Sequence, residues 1–543
     1  MANARLALSD DPVGDRPPSG RKCASLREQL SAPGAFVVAT ELVTSRGLIT
    51  AKKGEALLEV ARELAADPRI GVLSITDNPG GHAMLAPDTL GTDLVSRGQE
   101  VIIHLSCKDW NRNALESRGW KLASESFENV LALSGDYPVT GHDGLAAPVF
   151  DIDSVGLLKL YAEMNEGLHD PRRPQTPLDS TDFFLGCVVT NHKRYEREVV
   201  PQLLKLGKKV RAGARFAINQ IGWEARKDDE LLRWARSELP SLKLLANVYL
   251  LSPAAARAFH AGRVPGVTVT DRLLELVERQ AASPDRGRSF FVEMAAKQVA
   301  VARGLGYDGV YLGGHAGAGT FLEILERAAD FGGAQWRELA RDLQFPFEDE
   351  FFLYERDEET GLATDRLDAG YLESKRRRRT ELPVPISYRV SRRLHGAVFA
   401  REAPLFEKGR ALYERIEKAP QPVRKTAHRV EHASKVAAFG CRDCGDCSLP
   451  DVAYVCPESA CAKNQRNGPC GGTRDGICEV YDTECIWSQA YERLKAYGEE
   501  ESMLTGPVVV KDNALRGTSA WANTFLGRDH YAKAKGETKD GSE

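Results

Sequence analysis

The stretch FVVATELVTSRGLITAKKGEALLEVARELAADPRIGVLSITD, residues 36–77, decides the fold. Two apolar runs rich in β-branched residues, FVVATEL and GVLSITD, enclose the segment EALLEVARELAAD, whose apolar residues recur at helical spacing. Two strands that are joined through a helix lie parallel in one sheet. The stretch therefore predicts a β-α-β unit, which is the building block of α/β folds.

Six further apolar runs of strand length continue this alternation. They are EVIIHLS (100–106), NVLALSGD (129–136), DFFLGCVVT (182–190), RFAINQI (215–221), KLLANVYLL (243–251) and DGVYLGG (308–314). Helical patterns such as VVPQLLKLGKKVRAG separate them, and GTFLEILERAADFGG follows the last one. Eight strands alternating with helices predict a (β/α)8 TIM barrel over residues 31–333. An open doubly wound sheet is the alternative, but no G-x-G-x-x-G motif follows a strand, so a dinucleotide site of that type is not supported.

Length and charge limit the remaining possibilities. A chain of 543 residues exceeds what one hydrophobic core usually fills, so more than one domain is expected. The net charge of −4 gives no basic footprint, so nucleic acid is not an expected partner. The polar N-terminus lacks the pattern of a signal peptide, and no run of eighteen apolar residues occurs. We therefore expect a cytoplasmic protein with no membrane partner.

The composition along the chain predicts five regions. They are a disordered N-terminal tail (1–30), the barrel (31–333), a helical connecting region (334–435), a cysteine-rich metal-binding domain (436–500) and a C-terminal tail (501–543). The connecting region contains the run KRRRR (375–379), which is typical of a solvated helix face.

Eight of the eleven cysteines lie in the small domain, at Cys441, Cys444, Cys447, Cys456, Cys461, Cys470, Cys478 and Cys485. Because the cytosol keeps thiols reduced, such a cluster indicates metal ligands. The first three are spaced C-x2-C-x2-C and a later Cys-Pro follows, which favours iron–sulfur clusters of the [4Fe-4S] type, although the last spacer is longer than in ferredoxins. Zinc is the alternative, because four-cysteine sites form from similar pairs. Free or redox-active thiols are a third possibility. Cys441, Cys444 and Cys447 are expected to share one centre, while spacing does not assign the other five.

Polar residues stand near the carboxyl ends of the predicted strands, where barrel enzymes place their chemistry. They include Glu41, Thr76, His104, Asp136, Gln220 and Tyr249. Such a set favours a site for a large, flat ligand that forms hydrogen bonds. The alternative for each residue alone is a helix cap or a solvated position at the barrel rim.

Several of these strand ends resemble the methylenetetrahydrofolate reductase family. The similar segments are TEL (40–42), SIT (74–76), HLSCKD (104–109), LALSGDYP (131–138), KVRAGARFAINQ (209–220) and LGYDGVYLGGH (305–315). The segment NGPCGG (467–472) within the cysteine block resembles a C-terminal domain of some relatives. It is also similar to the subunit that accompanies the flavin subunit in acetogenic bacteria.

The resemblance implies a barrel that holds FAD noncovalently and moves hydride between flavin N5 and a folate one-carbon unit, interconverting 5,10-methylene- and 5-methyltetrahydrofolate. Glu41 matches the general acid, and Asp136 is assigned a catalytic role with it. The remaining matches are Thr76, His104 and Asp136 at flavin-contacting positions, Lys209 for FAD, Gln220 for the pterin and Tyr249 as an aromatic against the folate.

The sequence also departs from the family pattern. Ser134 stands where a common form has arginine, and GCVVTNHK (186–193) lacks the usual tyrosine and histidine after the fifth strand. These changes affect the grip on the cofactor and the use of nicotinamide. FAD is predicted, with FMN as the alternative, and the electron donor is NAD(P)H or ferredoxin.

Two other functions remain open at this stage. One is a methyltransferase-type folate barrel and the other a noncatalytic folate-binding adaptor, in either case with the cysteine domain as a zinc docking module. The expected partners are a tetrahydrofolate one-carbon substrate, an electron-transfer protein if the metal centres carry electrons, and further copies of the chain in a homo-oligomer.

Overall fold

The computed structural model describes residues 24–170, 173–377 and 384–532. Its centre is a closed barrel of eight parallel strands, each paired with the strands before and after it. The strands are β1 Val37–Leu42, β2 Val72–Ile75, β3 Val101–Ser106, β4 Asn129–Leu133, β5 Phe184–Val189, β6 Phe216–Asn219, β7 Lys243–Tyr249 and β8 Gly309–Gly313. β8 pairs with β1 and closes the barrel, so the predicted (β/α)8 fold is confirmed.

One helix, α1 Leu26–Ser31, precedes β1 and packs Leu26 and Leu30 against the apolar cluster inside the barrel, and the other helices follow strands and cover its outside. They are α2 Lys52–Ala66, α3 Pro87–Ser96, α4 Arg112–Ser124, α5 Ser154–Glu166, α6 Glu196–Arg211, α7 Ala225–Glu238, α8 Pro253–His260, α9 Asp271–Ala281, α10 Arg288–Leu305, α11 Ala318–Asp330 and α12 Trp336–Arg341. A hairpin of His169–Asp170 with Arg173–Pro177 stands between α5 and β5.

Alternation along the strands decides which side chains enter the barrel. Ala39, Val72, Ile102 and Leu245 pack together inside it, and the residues between them pack against the helices. Because strand side chains alternate with a period of two, Glu41 follows Ala39 to the inside. The same geometry that fills the lower barrel with apolar groups therefore brings a carboxylate to its upper end.

The helix α1 lies within the segment predicted to be a disordered tail. Ser25 and Glu28 form a capping box at its start, and Leu26 and Leu30 are buried. The Leu26 amide donates to the Glu100 carboxylate at 3.0 Å. These contacts order the segment from Leu26 onward, and residues 1–23 lie outside the described part of the chain.

The connecting region is less purely helical than predicted. It contains a hairpin of Tyr354–Arg356 with Ala363–Leu367. Of the basic run, Arg378 and Arg379 lie outside the described residues. The helices of the second half of the chain are α13 Ala369–Arg376, α14 Ile386–Leu394, α15 Phe406–Lys418, α16 Gln421–Phe439, α17 Pro457–Ala460, α18 Ile486–Lys495, α19 Ser502–Thr505 and α20 Ala520–Phe525.

The cysteine-rich domain packs directly on the barrel. Its residues Ile486, Trp487 and Tyr491 belong to the same apolar cluster as Leu203 and Leu206 of α6. Residues after 500, predicted to be a tail, also contribute buried groups such as Phe525 and His530. None of the described helices combines the length and apolar character needed to cross a bilayer.

Candidate functional site

The mouth of the barrel holds Glu41 beside Tyr249. A Cβ atom placed on Gly313 of β8 would lie 3.2 Å from Glu41 Oε2 and 3.5 Å from the Tyr249 ring, so this glycine leaves the space between them open. Burial in the barrel raises the pKa of Glu41 to about 7, although a hydrogen bond from Tyr311 opposes the shift. The Glu41 carboxyl therefore changes protonation near neutral pH, as a proton donor must.

Below Glu41, buried polar side chains form a short chain inside the barrel. Tyr311 of β8 contacts Glu41, and its hydroxyl lies 3.4 Å from His104 Nε2. His104 Nε2 is also 2.8 Å from the Ser74 hydroxyl. Burial lowers the pKa of His104 to about 3, so the ring is neutral. Sequence analysis named His104 and missed Tyr311, although Tyr311 occupies an inward position of its strand.

Asp136 and Thr76 lie in the loops at a second edge of the mouth. The Asp136 carboxylate accepts a hydrogen bond of 2.7 Å from the amide of Gly80, in a tight turn after β2. The Thr76 hydroxyl is buried and donates to the Leu42 carbonyl at 3.4 Å. Gly135, whose φ is +87°, forms the turn that leads to Asp136.

Gln220 and Lys209 have different surroundings. The Gln220 side chain accepts from the Ile221 amide at 2.9 Å and remains partly exposed near Gly266. The Lys209 ammonium is buried and donates to the Val188 carbonyl at 2.6 Å. Gln220 thus keeps its amide donor at the mouth, whereas the observed partner of Lys209 is backbone of the barrel.

A cleft of about 720 Å³ opens next to Asp136, between the barrel rim and the cysteine-rich domain. Its walls include Tyr137 and Phe150, whose rings stack with centroids 6.3 Å apart, and Tyr481 from the opposite domain. The charged groups of the lining are paired, Arg112 with Asp151 and Lys511 with Glu458. This size and lining suit a large ligand with an aromatic part.

A loop of the cysteine-rich domain closes the mouth on the side of β5. The buried Lys205 ammonium of α6 donates to Gln465 Oε1, Gly468 O and Pro469 O, each at 3.0 Å. Asp153, at the start of α5, accepts from the Asn467 amide at 2.9 Å. The NGPCGG segment is therefore fixed to the barrel by buried polar contacts, which sequence analysis did not predict.

The eight cysteines form two sets of four in chain order. The first set, group A, lines a cavity of about 20 Å³ together with Lys435 and Arg466; its members are Cys441, Cys444, Cys447 and Cys456. The pKa of Cys447 is raised to about 11, mainly by burial and to a smaller extent by Cys444 and Cys456. The structure thus adds Cys456 to the three cysteines expected to share a centre.

The second set, group B, adjoins the barrel and consists of Cys461, Cys470, Cys478 and Cys485. Burial raises the pKa of Cys461 to about 11, with Cys470 and Cys478 as further causes. Burial likewise raises the pKa of Cys485 to about 12, with Cys470 and Cys461 contributing. The thiols of Cys470 and Cys478 thus lie close enough to Cys461 to affect its pKa, as do Cys461 and Cys470 to Cys485.

The cysteines of groups A and B are not joined by disulfides. Within residues 24–170, 173–377 and 384–532, no three His, Cys, Asp or Glu side chains are placed so that they could hold a metal ion as they stand. The ten described cysteines are free thiols, and Cys23 lies outside the described residues. The metal-ligand role of groups A and B therefore stays a prediction.

Comparison with known proteins gives two matches along the chain. A model of the family described as "Methylenetetrahydrofolate reductase" matches residues 29–327, more than half of the chain. A second model, "Methylene-tetrahydrofolate reductase C terminal", matches residues 421–513. No curated protein matches significantly.

Solved structures show only distant likenesses. A Clostridium thermocellum protein that binds two copies of 5-methyl-5,6,7,8-tetrahydrofolic acid is 11% identical, with a TM-score of 0.41 over 56% of this chain and 98% of that chain. EDTA monooxygenase from Chelativorans sp. BNC1 is also 11% identical, with a TM-score of 0.32 over 57% of this chain and 95% of its own. Both likenesses are too weak to bear on function.

The two family matches cover the regions that carry the sequence motifs. The first spans the barrel with Glu41, Asp136 and Gln220, and the second spans both cysteine groups. The predicted fusion of the two regions is confirmed. The chain belongs to the methylenetetrahydrofolate reductase family.

Proposed function

We propose that the protein is an FAD-dependent methylenetetrahydrofolate reductase whose cysteine-rich domain delivers electrons to the barrel. The observation that carries the proposal is Glu41, an inward carboxyl in a barrel of this family with a pKa raised to about 7. A carboxyl with an ordinary pKa would be ionised at neutral pH and could not donate a proton.

The barrel residues suggest roles in the interconversion of 5,10-methylene- and 5-methyltetrahydrofolate. Protonated Glu41 gives its proton to N10 of the substrate, so that the carbon–nitrogen bond of the five-membered ring breaks. Tyr249 packs against the folate, and Gln220 offers an amide donor to the pterin. FAD, when bound, supplies the hydride that the one-carbon unit accepts. The reverse reaction returns the N10 proton to Glu41.

The mouth has features that fit a flavin cofactor. The buried hydroxyls of Thr44 and Ser45, just after β1, have no hydrogen-bond partner among the described residues, so a polar ligand would satisfy them. The cleft beside Asp136 is large enough for a substantial part of a dinucleotide. Asp136 and Thr76 would hold the flavin, while the FAD role of Lys209 stays a prediction because its ammonium is bound to Val188 O.

The thiols of groups A and B suit metal centres of four thiolates each. Burial raises the pKa of Cys441, Cys447, Cys461 and Cys485, so a bound metal would have to displace protons from these thiols. We favour iron–sulfur clusters over zinc because of the ferredoxin-like spacing. Group B is the nearer of the two to the mouth, since Cys470 lies in the loop held by Lys205. Electrons would pass from group A to group B and then to the flavin.

The proposal is tested on protein purified without oxygen. We expect flavin absorption, about eight iron atoms per chain for two [4Fe-4S] clusters, and oxidation of 5-methyltetrahydrofolate with an artificial acceptor. If the protein contains zinc and no iron, the reductase activity remains supported, but the cysteine-rich domain cannot deliver electrons. A colourless protein that binds folate without turnover would overturn the proposal and support the folate-binding adaptor.

A further inference from the structure

Lys463 belongs to the cysteine-rich domain but reaches into the barrel. Its side chain is only 7% exposed, and its ammonium donates to the Gly135 carbonyl at 2.9 Å. It also forms an ion pair with Glu479 of its own domain. A buried lysine is costly unless it is paired, so this crossing contact requires a compensating arrangement of charges.

The contact falls on the residues that lead to Asp136. Gly135 adopts a left-handed conformation, and a Cβ atom there would lie 2.9 Å from Ser106 Cβ, so only glycine fits the turn. The preceding Ser134 hydroxyl donates to Gln465 of the cysteine-rich domain at 3.0 Å. Both residues before Asp136 are thus held by side chains from the other domain.

The Lys463 ammonium is held from both domains. Glu479 of its own domain supplies a carboxylate partner, and the Gly135 carbonyl, next to Asp136, accepts from the ammonium across the interface. Burial of a lysine is tolerated when the ammonium is paired with a carboxylate in this way. Lys463, two residues after Cys461 of group B, thus places a cation beside the residue that leads to the Asp136 carboxylate.

We propose that Lys463 is a positioning residue of the reaction site, which holds the Gly135–Asp136 turn and places a fixed positive charge between group B and the bound flavin. This inference rests on the proposed function, because it assumes that the flavin lies at Asp136. The cysteine-rich domain is then part of the active site as well as an electron carrier.

The test compares four full-length proteins: the unaltered chain, Lys463→Met, Lys463→Arg and Lys495→Met. Lys495 is the matched control, because it is also a buried lysine at the domain interface, paired there with Glu196 of α6. The flavin is removed, and the dissociation constants of oxidised and reduced FAD are measured by titration. Metal content is measured in each protein.

A fixed cation favours the anionic reduced flavin over the oxidised form. We expect Lys463→Met to weaken binding of reduced FAD about tenfold more than binding of oxidised FAD, equivalent to about 30 mV for a two-electron couple. Lys463→Arg should stay within about twofold of the unaltered chain because it keeps the charge. Lys495→Met should leave the ratio unchanged.

Three results would overturn the inference, and they are distinguishable. An unchanged ratio in Lys463→Met would remove the electrostatic role, and equal losses in Lys463→Met and Lys495→Met would show only loosened domain packing. Failure of the unaltered chain to bind FAD would overturn the proposed function together with this inference. If Lys463→Met does not fold, Glu479→Gln provides the opposite change, since freeing the lysine from its carboxylate should favour reduced FAD.

Discussion

The barrel and the cysteine-rich domain have interiors of different chemistry. The barrel encloses aliphatic groups such as Val72, Ile102 and Leu245, none of them measurably exposed. The cysteine-rich domain and the segment after it bury charged groups, among them Arg466 and an ion pair in which His530 Nδ1 lies 2.6 Å from Asp446, whereas the buried charges of the barrel, such as Lys205 and Lys227, lie on its outer helices. Apolar burial stabilises a fold at roughly 25 cal/mol per Å², whereas buried ion pairs barely repay their desolvation. We therefore expect the second domain to depend on the barrel surface and on the proposed metal centres as well as on its own packing.

The helix α6 is where the two interiors meet. Twelve consecutive residues, from Glu198 to Lys209, are buried, so this helix has no solvent face in its central part. One side packs on the barrel strands, and the other is covered by the segments around α18 and α19. The barrel helices and the small domain therefore share one apolar cluster, and removal of the small domain would expose leucines and lysines of the barrel.

The largest effect that tests this comparison is removal of the metal. Structural zinc contributes about 10–16 kcal/mol to small thiolate domains, so Cys444→Ser or Cys470→Ser should unfold much of residues 441–485. Each variant should also lose about half of the metal. Hydrogen exchange should rise there and on the outer side of α6, while the barrel strands stay protected. Cys187→Ser, in β5 of the barrel, is the control that should retain all metal. Full metal content in both group variants would contradict the two-centre assignment.

The second test concerns the barrel alone. Glu41→Gln keeps the shape of the side chain but removes the proton, so turnover should fall about 10²- to 10⁴-fold with FAD retained. Glu224→Gln is the matched control, because burial raises the pKa of Glu224 to about 8, but its carboxylate caps α7 and lies against Phe345 and Glu350 of the connecting region. Its turnover should stay near that of the unaltered protein. Activity of Glu41→Gln within about twofold of normal would remove Glu41 from the mechanism.

The barrel could be predicted because each strand and helix is encoded by a pattern of neighbouring residues. The strand β3 matches the run EVIIHLS to within one residue, and a period of two places Glu41 inside. The helix α1 was missed although Ser25 and Glu28 form a local capping box, because six residues with two buried leucines give too short a pattern and Leu26 and Leu30 pack on the barrel. Lys463 and the division of the cysteines were missed because each depends on residues far apart in sequence. The signal for Tyr311 was present, as an inward position of β8.

The third test measures how the free energy of unfolding changes with pH as Glu41 is deprotonated. A carboxyl whose pKa is about 7 in the folded state and near 4.5 when unfolded binds more protons in the folded state between these values. The free energy of unfolding therefore falls as pH rises from about 4.5 to above 7. The Glu41→Gln variant has no carboxyl to ionise and so lacks this loss. The free energy of unfolding of the variant minus that of the unaltered chain should therefore rise by about 2 kcal/mol over that pH range, a figure lowered from the full shift because Glu41 is partly exposed. Denaturant unfolding at pH 5 and pH 8 measures it, and parallel pH profiles would contradict a raised pKa.

The smallest expected effects come from the residues at the flavin edge of the mouth. Asp136→Ala removes a negative charge and the acceptor that holds the Gly80 amide, and Thr76→Ala removes one hydroxyl. Each polar contact contributes about 1 kcal/mol, so the flavin midpoint potential or the retained fraction of FAD should change modestly. Asp136→Ala should raise the potential, because the lost carboxylate had repelled the anionic reduced flavin. Asp143→Ala, an exposed aspartate in the same loop, is the charge-matched control. If the midpoint potential and the FAD content are unchanged in both Asp136→Ala and Thr76→Ala, the flavin does not lie at this edge of the mouth. The contact between the cysteine-rich domain and the barrel would then lie beside a different ligand.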